Sequence, residues 1–581
     1  MLNKTKITKG FDSKMSDKKY TKILALLIIM ALIIRIVFLF SSSNYILTFV
    51  ADDMFYYMVA ANNVVNGDGL TFDGVSPTNA AHPLYLVLLL PIAYLFQSNP
   101  DIQIRLSLAL LTVFNILTAI SIFKIISLFF EKRAAIFASF IWLFSPIIFK
   151  SYITGVEGAV SVFFLSLTVY FFLKYRKQYT IKRVCYLGIL AGISFLSRAD
   201  AIFLVAIIFF DLVFSYFRNS RENGLKQIII YCLSALIVAS PWLIFSYITS
   251  GTFMQTSGIA IAFKQHASFL AAHSLFSMAL VIKILTQIVS MIYILFSFSG
   301  SHSLFAFFLG LIASIHFKKR DYKRKYALYA APLFIILPFF LKIEADSKYA
   351  LIIALIAALA SFMIGCILGA SSDYNRDEYR QKINAIAPLL FFVGAILCYY
   401  AVYSWSFQIW YYPSSFFILT LFIGAGFSIF EKISDITDKQ FCCILFALFM
   451  LFLTQFAINY SEGGIFPQNL ESKDIALWLK DNIPVGKTIG SFNSGIYGYY
   501  SGHTVVNLDG VINNNAYYAL RSKNIWEYIQ DRTDYLVESE KVLEEFSIFA
   551  DKNYLSNTEI VYTRLTKYSN RSPIKVYKVE D

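Results

Sequence analysis

Long apolar runs separated by short charged segments dominate this sequence. The first run, Ile23–Phe40, is 18 residues long, and others follow as far as Ile458. A stretch of about 20 apolar residues crosses a bilayer as a helix. Because 57% of the 581 residues are hydrophobic and the mean hydropathy is +0.61, the chain is too apolar for a water-soluble globule. The sequence predicts a polytopic α-helical membrane protein in contact with a lipid bilayer.

The distribution of Lys and Arg indicates orientation rather than nucleic-acid binding. The net charge is +13, but the bases lie in short clusters between the apolar runs, so no nucleic-acid partner is predicted. Seven Lys precede Ile23, and no small-residue cleavage site follows Phe40, which favours a first span with a cytoplasmic N-terminus. The six cysteines lie inside predicted spans, so neither a disulfide framework nor a CxxC metal site is predicted.

One short apolar segment, His82–Phe96, decides the topology of everything after it. It has about 14 apolar residues and contains Pro91, which is typical of an interfacial or re-entrant segment. If it crossed the membrane, the basic cluster at 174–183 would lie outside. The positive-inside rule therefore favours a segment lying in the outer interface, within one long outer loop formed by residues 41–104.

With this choice, the hydropathy pattern predicts about 13 transmembrane helices. They are Ile23–Phe40, Arg105–Phe129, Ala134–Phe149, Gly158–Leu173, Val184–Leu196, Ala201–Phe217, Gln227–Ile248, Ser301–Phe317, Tyr326–Leu341, Tyr349–Gly369, Ile383–Tyr403, Ser414–Phe430 and Phe441–Ile458. The apolar segment Leu275–Phe298 is predicted to be an outer-surface helix, because counting it as a span would place the basic run after His316 outside.

The composition changes at Tyr460, which divides the chain into a membrane domain, 1–459, and a polar tail, 460–581. The tail alternates short helical and strand patterns. It is predicted to be an extracytoplasmic soluble α/β domain. Its expected elements are a helix over Glu471–Asn482 and strands over Lys487–Ser491, Thr504–Asn507, Tyr535–Val537 and Ile574–Val579.

Polar residues from distant parts of the chain are predicted to meet at the outer surface. Asp52 and Asp53 are adjacent in a segment, Ala51–Tyr85, that contains no Lys or Arg. Adjacent carboxylates without a local base are typical of a functional site, and a solvated loop is the alternative. Glu157, Arg198 and Lys264 are placed on the same surface by the predicted topology. A snorkelling anchor is the alternative role for Arg198, and an interfacial aromatic belt is the alternative for Trp410 and Tyr411.

Several motifs in this order carry a family resemblance. They are DDMFYYMVAANNVVNGDGLTFDG followed by TNAAHPLY, then GVEGA, LSRAD and, in the tail, GYYSGHTVVNLDGVIN. This set resembles the GT-C superfamily of membrane glycosyltransferases, and is most similar to bacterial and archaeal relatives of protein O-mannosyltransferases, aminoarabinose transferases and arabinofuranosyltransferases. The resemblance implies a GT-C-like fold, a polyprenyl-phosphate sugar donor and a catalytic Asp in the first outer loop of an outward-facing site. The chain lacks the WWDYG motif of oligosaccharyltransferases, which argues against that branch.

Residue roles follow from the chemistry of sugar transfer. Transfer from a lipid phosphate to a hydroxyl needs a carboxylate to take the acceptor's proton and a cation to hold the departing phosphate. Asp52 is the expected base, because it stands at the same offset before the following Tyr as the family's acid. The family often has Asp-Glu at this position, which leaves open which acid is the base. The other expected site residues are Asp53 and Glu157 for orienting the acceptor or sugar, or for binding a possible divalent cation (Mg or Mn), Arg198 and Lys264 for the donor phosphate, and His82, Tyr56, Trp410 and Tyr411 for lining the substrate site.

The sequence thus predicts a glycosyltransferase acting on the outer face of the cytoplasmic membrane, with a glycan, lipid or protein as acceptor. The alternative is a multi-span transporter or a lipid-linked glycan flippase or polymerase. Transporters usually carry charges at mid-membrane and show related halves. In this sequence the polar groups gather at one face and the two halves differ, which favours the transferase.

Overall fold

A computed structural model describes residues 17–219, 223–274, 277–297, 302–316, 348–406, 408–461, 463–550, 555, 558–567 and 572–580. The predicted span Tyr326–Leu341 lies outside these residues. Helices of the first 461 residues are α1 Asp17–Leu39, α2 Ser43–Leu47, α3 Asp52–Asn66, α4 Pro83–Phe96, α5 Pro100–Ile126, α6 Lys132–Phe144, α7 Pro146–Ile153, α8 Gly158–Tyr175, α9 Ile181–Ser197, α10 Ile202–Asn219, α11 Gly224–Ser250, α12 Thr256–Ala272, α13 Met278–Ser297, α14 His302–Ala313, α15 Lys348–Ala370, α16 Arg376–Ile386, α17 Leu390–Cys398, α18 Pro413–Ser434 and α19 Asp438–Ser461.

The predicted polytopic helical fold is confirmed. Within the described ranges, nine helices are long and apolar enough to cross a membrane, and shorter apolar helices include α4. One of the nine is Met278–Leu295, which we had placed on the outer surface. The predicted span Ala134–Phe149 is not continuous, because α6 and α7 meet at a bend of 51°. Pro146 explains the bend, since the residue before a proline is disfavoured in helical conformation and Ser145 has ψ 124°.

The tail contains a small sheet, as predicted. Its helices are α20 Asn469–Asn482, α21 Gly495–Tyr500, α22 Asn514–Ser522, α23 Ile525–Arg532 and α24 Glu540–Phe546, and its strands are β1 Thr488–Ser491, β2 Thr504–Asn507, β3 Tyr535–Ser539, β4 Thr558–Arg564 and β5 Ile574–Val579. The strand order is β2-β1-β3-β5-β4, in which β1 is parallel to β2 and β3, and β5 is antiparallel to β3 and β4. Strand β4 was not predicted. It is mostly exposed at the sheet edge, so burial imposes no apolar alternation on its sequence.

The tail packs on the start of the outer loop. The Asn469 side-chain amide donates to the carbonyls of Leu47, at 3.1 Å, and Val50, at 2.7 Å. Gly464 has φ 96°, and a Cβ at this position would lie 2.2 Å from Thr48 Oγ1. These contacts attach the start of the tail to the segment of the outer loop that precedes α3.

Candidate active site

The two adjacent acids occupy the first turn of α3. Ala51 is the N-cap, and its N–H donates to the carbonyl of Thr154 at 2.9 Å, which places the end of α3 beside the turn before Glu157. Carboxylates are favoured here because a helix N-terminus carries partial positive charge. Successive residues of a helix point in directions about 100° apart, so Asp52 and Asp53 face different surroundings.

Asp52 faces the tail. Its two carboxylate oxygens accept hydrogen bonds from the backbone N–H groups of Gly495 and Ile496, both at 2.9 Å, at the start of α21. Gly495 has no room for a side chain, since a Cβ would lie 2.4 Å from the Asp52 carbonyl oxygen. The Asp52 carboxylate is therefore a structural link between α3 and the tail.

Asp53 faces a cavity of about 430 Å³. Polar and apolar side chains both line this cavity. The polar lining residues, called the polar wall below, include Asp53, Tyr56, Tyr57, His82, Glu157, Arg198, Asp200, Gln255, Tyr400 and Tyr411; the apolar lining residues of α9–α12 and of the segment between α11 and α12, called the apolar wall, include Phe195, Ile202, Phe203, Trp242, Leu243, Phe253, Met254 and Ile261. Val511 and Ile512 of the tail also line the cavity. Residues of the outer loop, the membrane helices and the tail therefore form one site.

A buried ion-pair network forms the polar wall. The Arg198 guanidinium donates from Nη1 to Glu157 Oε1, from Nε to Asp200 Oδ2 at 2.8 Å, and from Nη2 to the hydroxyl of Tyr400 at 3.0 Å. Its Cζ lies 5.3 Å from the centre of the Tyr411 ring. Glu157 and Arg198 are only 4% and 6% exposed, so each charge depends on the other for compensation.

Glu157 accepts further hydrogen bonds. The Tyr57 hydroxyl donates to Glu157 Oε2 at 2.9 Å, and His82 Nε2 lies 3.4 Å from Glu157 Oε1. Burial disfavours ionisation of Glu157, but the neighbouring His82 and Arg198 outweigh it and hold the pKa of this carboxyl below its usual range. Burial lowers the pKa of His82, against the opposing effect of Glu157. The wall therefore holds an ionised Glu157 whose charge is offset by the Arg198 guanidinium.

Asp53 has the properties of a general base. Burial raises its pKa to about 7, and the negative charges of Asp52, Asp509 and Glu157 act in the same direction, whereas Lys264 lowers it. A base with a pKa near the working pH is suited to proton transfer, because a large fraction is ionised and the proton is still held once taken. Burial also raises the pKa of Asp52, although its two backbone donors oppose this.

The structure brings together most of the predicted site residues. Asp53, Tyr56, His82, Glu157, Arg198, Trp410 and Tyr411 all line the cavity, whereas Asp52 and Lys264 are not among the lining residues. Lys264 Nζ instead forms an ion pair with Asp509 Oδ2 at 2.8 Å, joining α12 to the tail. Trp410 is buried in the protein wall, which differs from the alternative of an exposed interfacial belt.

The lining residues that were not predicted from sequence include Tyr57, Val511, Gln255 and Tyr400. Tyr57 follows Tyr56 in the same motif, and Val511 lies in the quoted tail segment, so both stood next to recognised signals. Nothing in the local sequence distinguishes Gln255 or Tyr400, which reach the site only through the packing of α12 and of the segment after α17.

The contacts of the acids also bear on a metal site. Among the residues that the structure describes, no group of three His, Cys, Asp or Glu side chains is placed to hold a metal ion. The Glu157 oxygens accept hydrogen bonds from Arg198 and Tyr57 and lie beside His82, which does not fit a metal-ligand role, one of the alternatives that the sequence leaves open for Glu157.

Two parts of the chain match known protein families. Residues 81–245 match the family model described as dolichyl-phosphate-mannose-protein mannosyltransferase. The resemblance to GT-C glycosyltransferases is confirmed. The matched residues include His82, Glu157, Arg198 and Asp200 but neither acid of α3. Residues 463–577 match a separate family model described as a domain of unknown function.

Solved structures with a similar course of the chain include two of ArnT from Cupriavidus metallidurans. The one bound to undecaprenyl phosphate is 12% identical with a TM-score of 0.48, covering 97% of this chain and 99% of that one. The apo form is 12% identical with a TM-score of 0.47, covering 96% and 98%. The oligosaccharyltransferase of Archaeoglobus fulgidus, tethered to an acceptor peptide, is 11% identical with a TM-score of 0.46, covering 97% and 74%. No curated protein sequence matches the chain.

Proposed function

We propose that this protein is a glycosyltransferase that moves a sugar from a polyprenyl-phosphate donor to an acceptor hydroxyl on the outer face of the cytoplasmic membrane. The supporting observation is a single cavity that combines Asp53, with a pKa of about 7, the Arg198 guanidinium and an apolar wall. Residues 1–459 would form the catalytic membrane domain. The tail, 460–581, would be an extracytoplasmic domain that closes the cavity.

Asp53 takes the role of general base, which our sequence reasoning assigned to Asp52. Both oxygens of Asp52 are occupied by backbone donors of the tail, and Asp52 does not line the cavity. Asp53 lines it together with Tyr56 and the tail residues Val511 and Ile512. We therefore expect the acceptor hydroxyl to bind between α3 and the tail.

Arg198 holds the phosphate of the donor. Among the described residues that line the cavity, it is the one Lys or Arg. A guanidinium has five N–H groups, and three of those of Arg198 are donated to Glu157, Asp200 and Tyr400, so two remain for a ligand. Because two carboxylates already offset its charge, a phosphodiester with a single negative charge suits this wall better than a diphosphate.

The apolar wall accommodates the start of the isoprenoid chain. Trp242 and Phe253 line the cavity together with Phe195 and Phe203, and helices α10 and α11 are both candidate spans. An isoprenoid chain would reach this wall from the bilayer without crossing water.

The proposed reaction is a single displacement at the anomeric carbon. The acceptor oxygen bonds to this carbon while its proton passes to the Asp53 carboxylate. The bond between the anomeric carbon and the phosphate oxygen breaks, and polyprenyl phosphate leaves with the bonding electron pair, hydrogen-bonded to Arg198. No step requires a nucleotide, because the lipid supplies the activated sugar.

The direct test uses purified protein in lipid nanodiscs with polyprenyl-phosphate sugars and a membrane extract as the source of acceptors. We expect release of polyprenyl phosphate that depends on the acceptor and on Asp53. The same protein in sealed vesicles tests the alternative. Movement of the lipid-linked sugar across the bilayer without any transfer would replace the proposal with the flippase function.

A further inference from the structure

Gln255 connects the segment between α11 and α12, which lines the cavity, to the outer loop. It is the N-cap residue of α12, and its side-chain Nε2 donates to the backbone carbonyl of Ala81 at 2.9 Å. The same nitrogen lies 3.1 Å from Nδ1 of His82. Gln255 has no assigned role in the proposed reaction, yet it contacts His82, the one imidazole among the described residues that line the cavity.

These two contacts determine which ring nitrogen of His82 carries the proton. A backbone carbonyl only accepts hydrogen bonds, so the atom of Gln255 beside Ala81 is the NH₂ group. Its second hydrogen points to His82 Nδ1, which must then be the unprotonated, accepting nitrogen. The proton of neutral His82 lies on Nε2, and Nε2 faces Glu157 Oε1 at 3.4 Å. A carboxylate oxygen accepts such a proton, so the contacts on both sides of the ring agree.

Asn79 holds Gln255 in this position. The two hydrogens of its fully buried amide Nδ2 are shared among three acceptors, Ser246 Oγ at 2.7 Å, Ser250 Oγ at 2.9 Å and the Met254 carbonyl at 3.1 Å. Its oxygen accepts from the N–H of Thr256 at 3.2 Å and from its hydroxyl at 2.7 Å. Both ends of the segment 251–256 are thereby attached to the loop that carries His82.

We propose that Gln255 is a positioning residue that keeps the proton of His82 on Nε2, so that His82 and Arg198 share Oε1 of Glu157. With His82 as second donor, Glu157 is satisfied by one N–H of the guanidinium. Without His82 as a donor, Glu157 would accept a second N–H from Arg198. Fewer guanidinium N–H groups would then remain for an anionic ligand. Gln255 therefore affects binding of the donor phosphate through three intervening side chains, those of His82, Glu157 and Arg198.

The surroundings of His82 define the expected pH behaviour. The charged and titratable groups that face it are Glu157, Arg198, Asp200 and Tyr57, whose hydroxyl accepts from the His82 backbone N–H at 3.3 Å. Donation from Gln255 to Nδ1 stabilises the neutral ring. Loss of this donor makes protonation easier, because Nδ1 can then carry a proton without facing an NH₂ group.

The test is nitrogen NMR of the full-length protein, labelled with ¹⁵N at its six histidines. His82→Gln identifies the signals of His82 by subtraction. We expect an unprotonated Nδ1 and a protonated Nε2 in the wild type over the neutral pH range. Gln255→Met should give mixed tautomers and protonation at higher pH, and Gln255→Glu should move the proton to Nδ1. Gln265→Met, at an exposed position of α12, is the matched control and should leave the signals of His82 unchanged.

A wild-type His82 with its proton on Nδ1, or signals unaffected by Gln255→Met, would overturn the assignment. The kinetic consequence rests on the proposed transferase function. Gln255→Met should raise KM for the polyprenyl-phosphate sugar by about tenfold, as expected for one lost hydrogen bond to a charged group, and change kcat much less. An unchanged KM together with altered NMR signals would refute the link to donor binding. Absence of any transfer by the wild type would refute the transferase function while leaving the tautomer result intact.

Discussion

Replacing each of the two adjacent acids by Asn should produce opposite defects. Asp53→Asn keeps the volume of the side chain but cannot take the acceptor's proton. A positioned general base contributes about 100- to 10,000-fold in rate, so transfer should fall by this amount with little change in the KM for the donor. The wild-type kcat/KM should rise with pH and level off above about pH 7, because Asp53 must be ionised. The Asn variant should lose this dependence.

The same substitution should stabilise the fold at alkaline pH. The pKa of Asp53 is raised from 3.8 to about 7, so the folded protein holds the proton more tightly than the unfolded chain. Its stabilising contribution is present in full below pH 3.8 and is lost as the pH rises through 7. A shift of about 3 pKa units corresponds to at most about 4 kcal/mol, and water in the cavity reduces it. Asp53→Asn should therefore gain thermal stability over the wild type at pH 8 and not at pH 4.

Asp52→Asn should instead weaken the attachment of the tail. An amide oxygen can accept one of the two N–H groups of Gly495 and Ile496, but the amide NH₂ would face the other. An unpaired buried donor costs about 1–3 kcal/mol, so this variant should unfold at lower temperature and retain more activity than Asp53→Asn. Nanodisc-embedded proteins at equal concentration, assayed for transfer and for melting from pH 4 to 8, provide both measurements. Full transfer activity of Asp53→Asn, or a greater loss of activity in Asp52→Asn, would refute our assignment of the base.

Three further predictions concern the phosphate, the ion pair with the tail and the topology. Arg198→Ala should raise the KM for the donor more than Arg198→Lys, because the lysine keeps a charge but not the fork of donors. Arg183→Ala, near the start of α9 and not among the lining residues of the cavity, is the control, and equal donor affinity in all variants would return Arg198 to a structural role. Lys264→Met should shift the pH profile of transfer to higher pH, since Lys264 lowers the pKa of Asp53, and a profile unchanged within error would contradict this electrostatic link. Single cysteines at Val75, 70% exposed, and Val485, fully exposed, should both react with an impermeant thiol reagent in intact cells, and labelling of only one would disprove a shared outer side for loop and tail.

The structural class of this protein could be predicted from sequence because the surrounding lipid bilayer imposes a strong hydropathy pattern. A bilayer requires runs of about 20 apolar residues whatever the tertiary arrangement, so the helical membrane fold was evident before packing was considered. Buried strands behave similarly: β2, Thr504–Asn507, has the predicted bounds, whereas the exposed edge strand β4 left no comparable signal. The adjacency of Asp52 and Asp53 also singled out the loop that carries them.

Which of these acids faces the cavity was decided only by the tertiary structure. The donors to Asp52 belong to Gly495 and Ile496, more than 400 residues away in sequence, and no local pattern records that contact. The ion pair of Lys264 could not be predicted for the same reason, since its partner, Asp509, lies in the tail. Hydropathy reports how each residue interacts with its solvent, and it depends on local composition. The direction of a side chain on a helix, and the charge that it meets there, depend on segments that the fold brings from elsewhere in the chain.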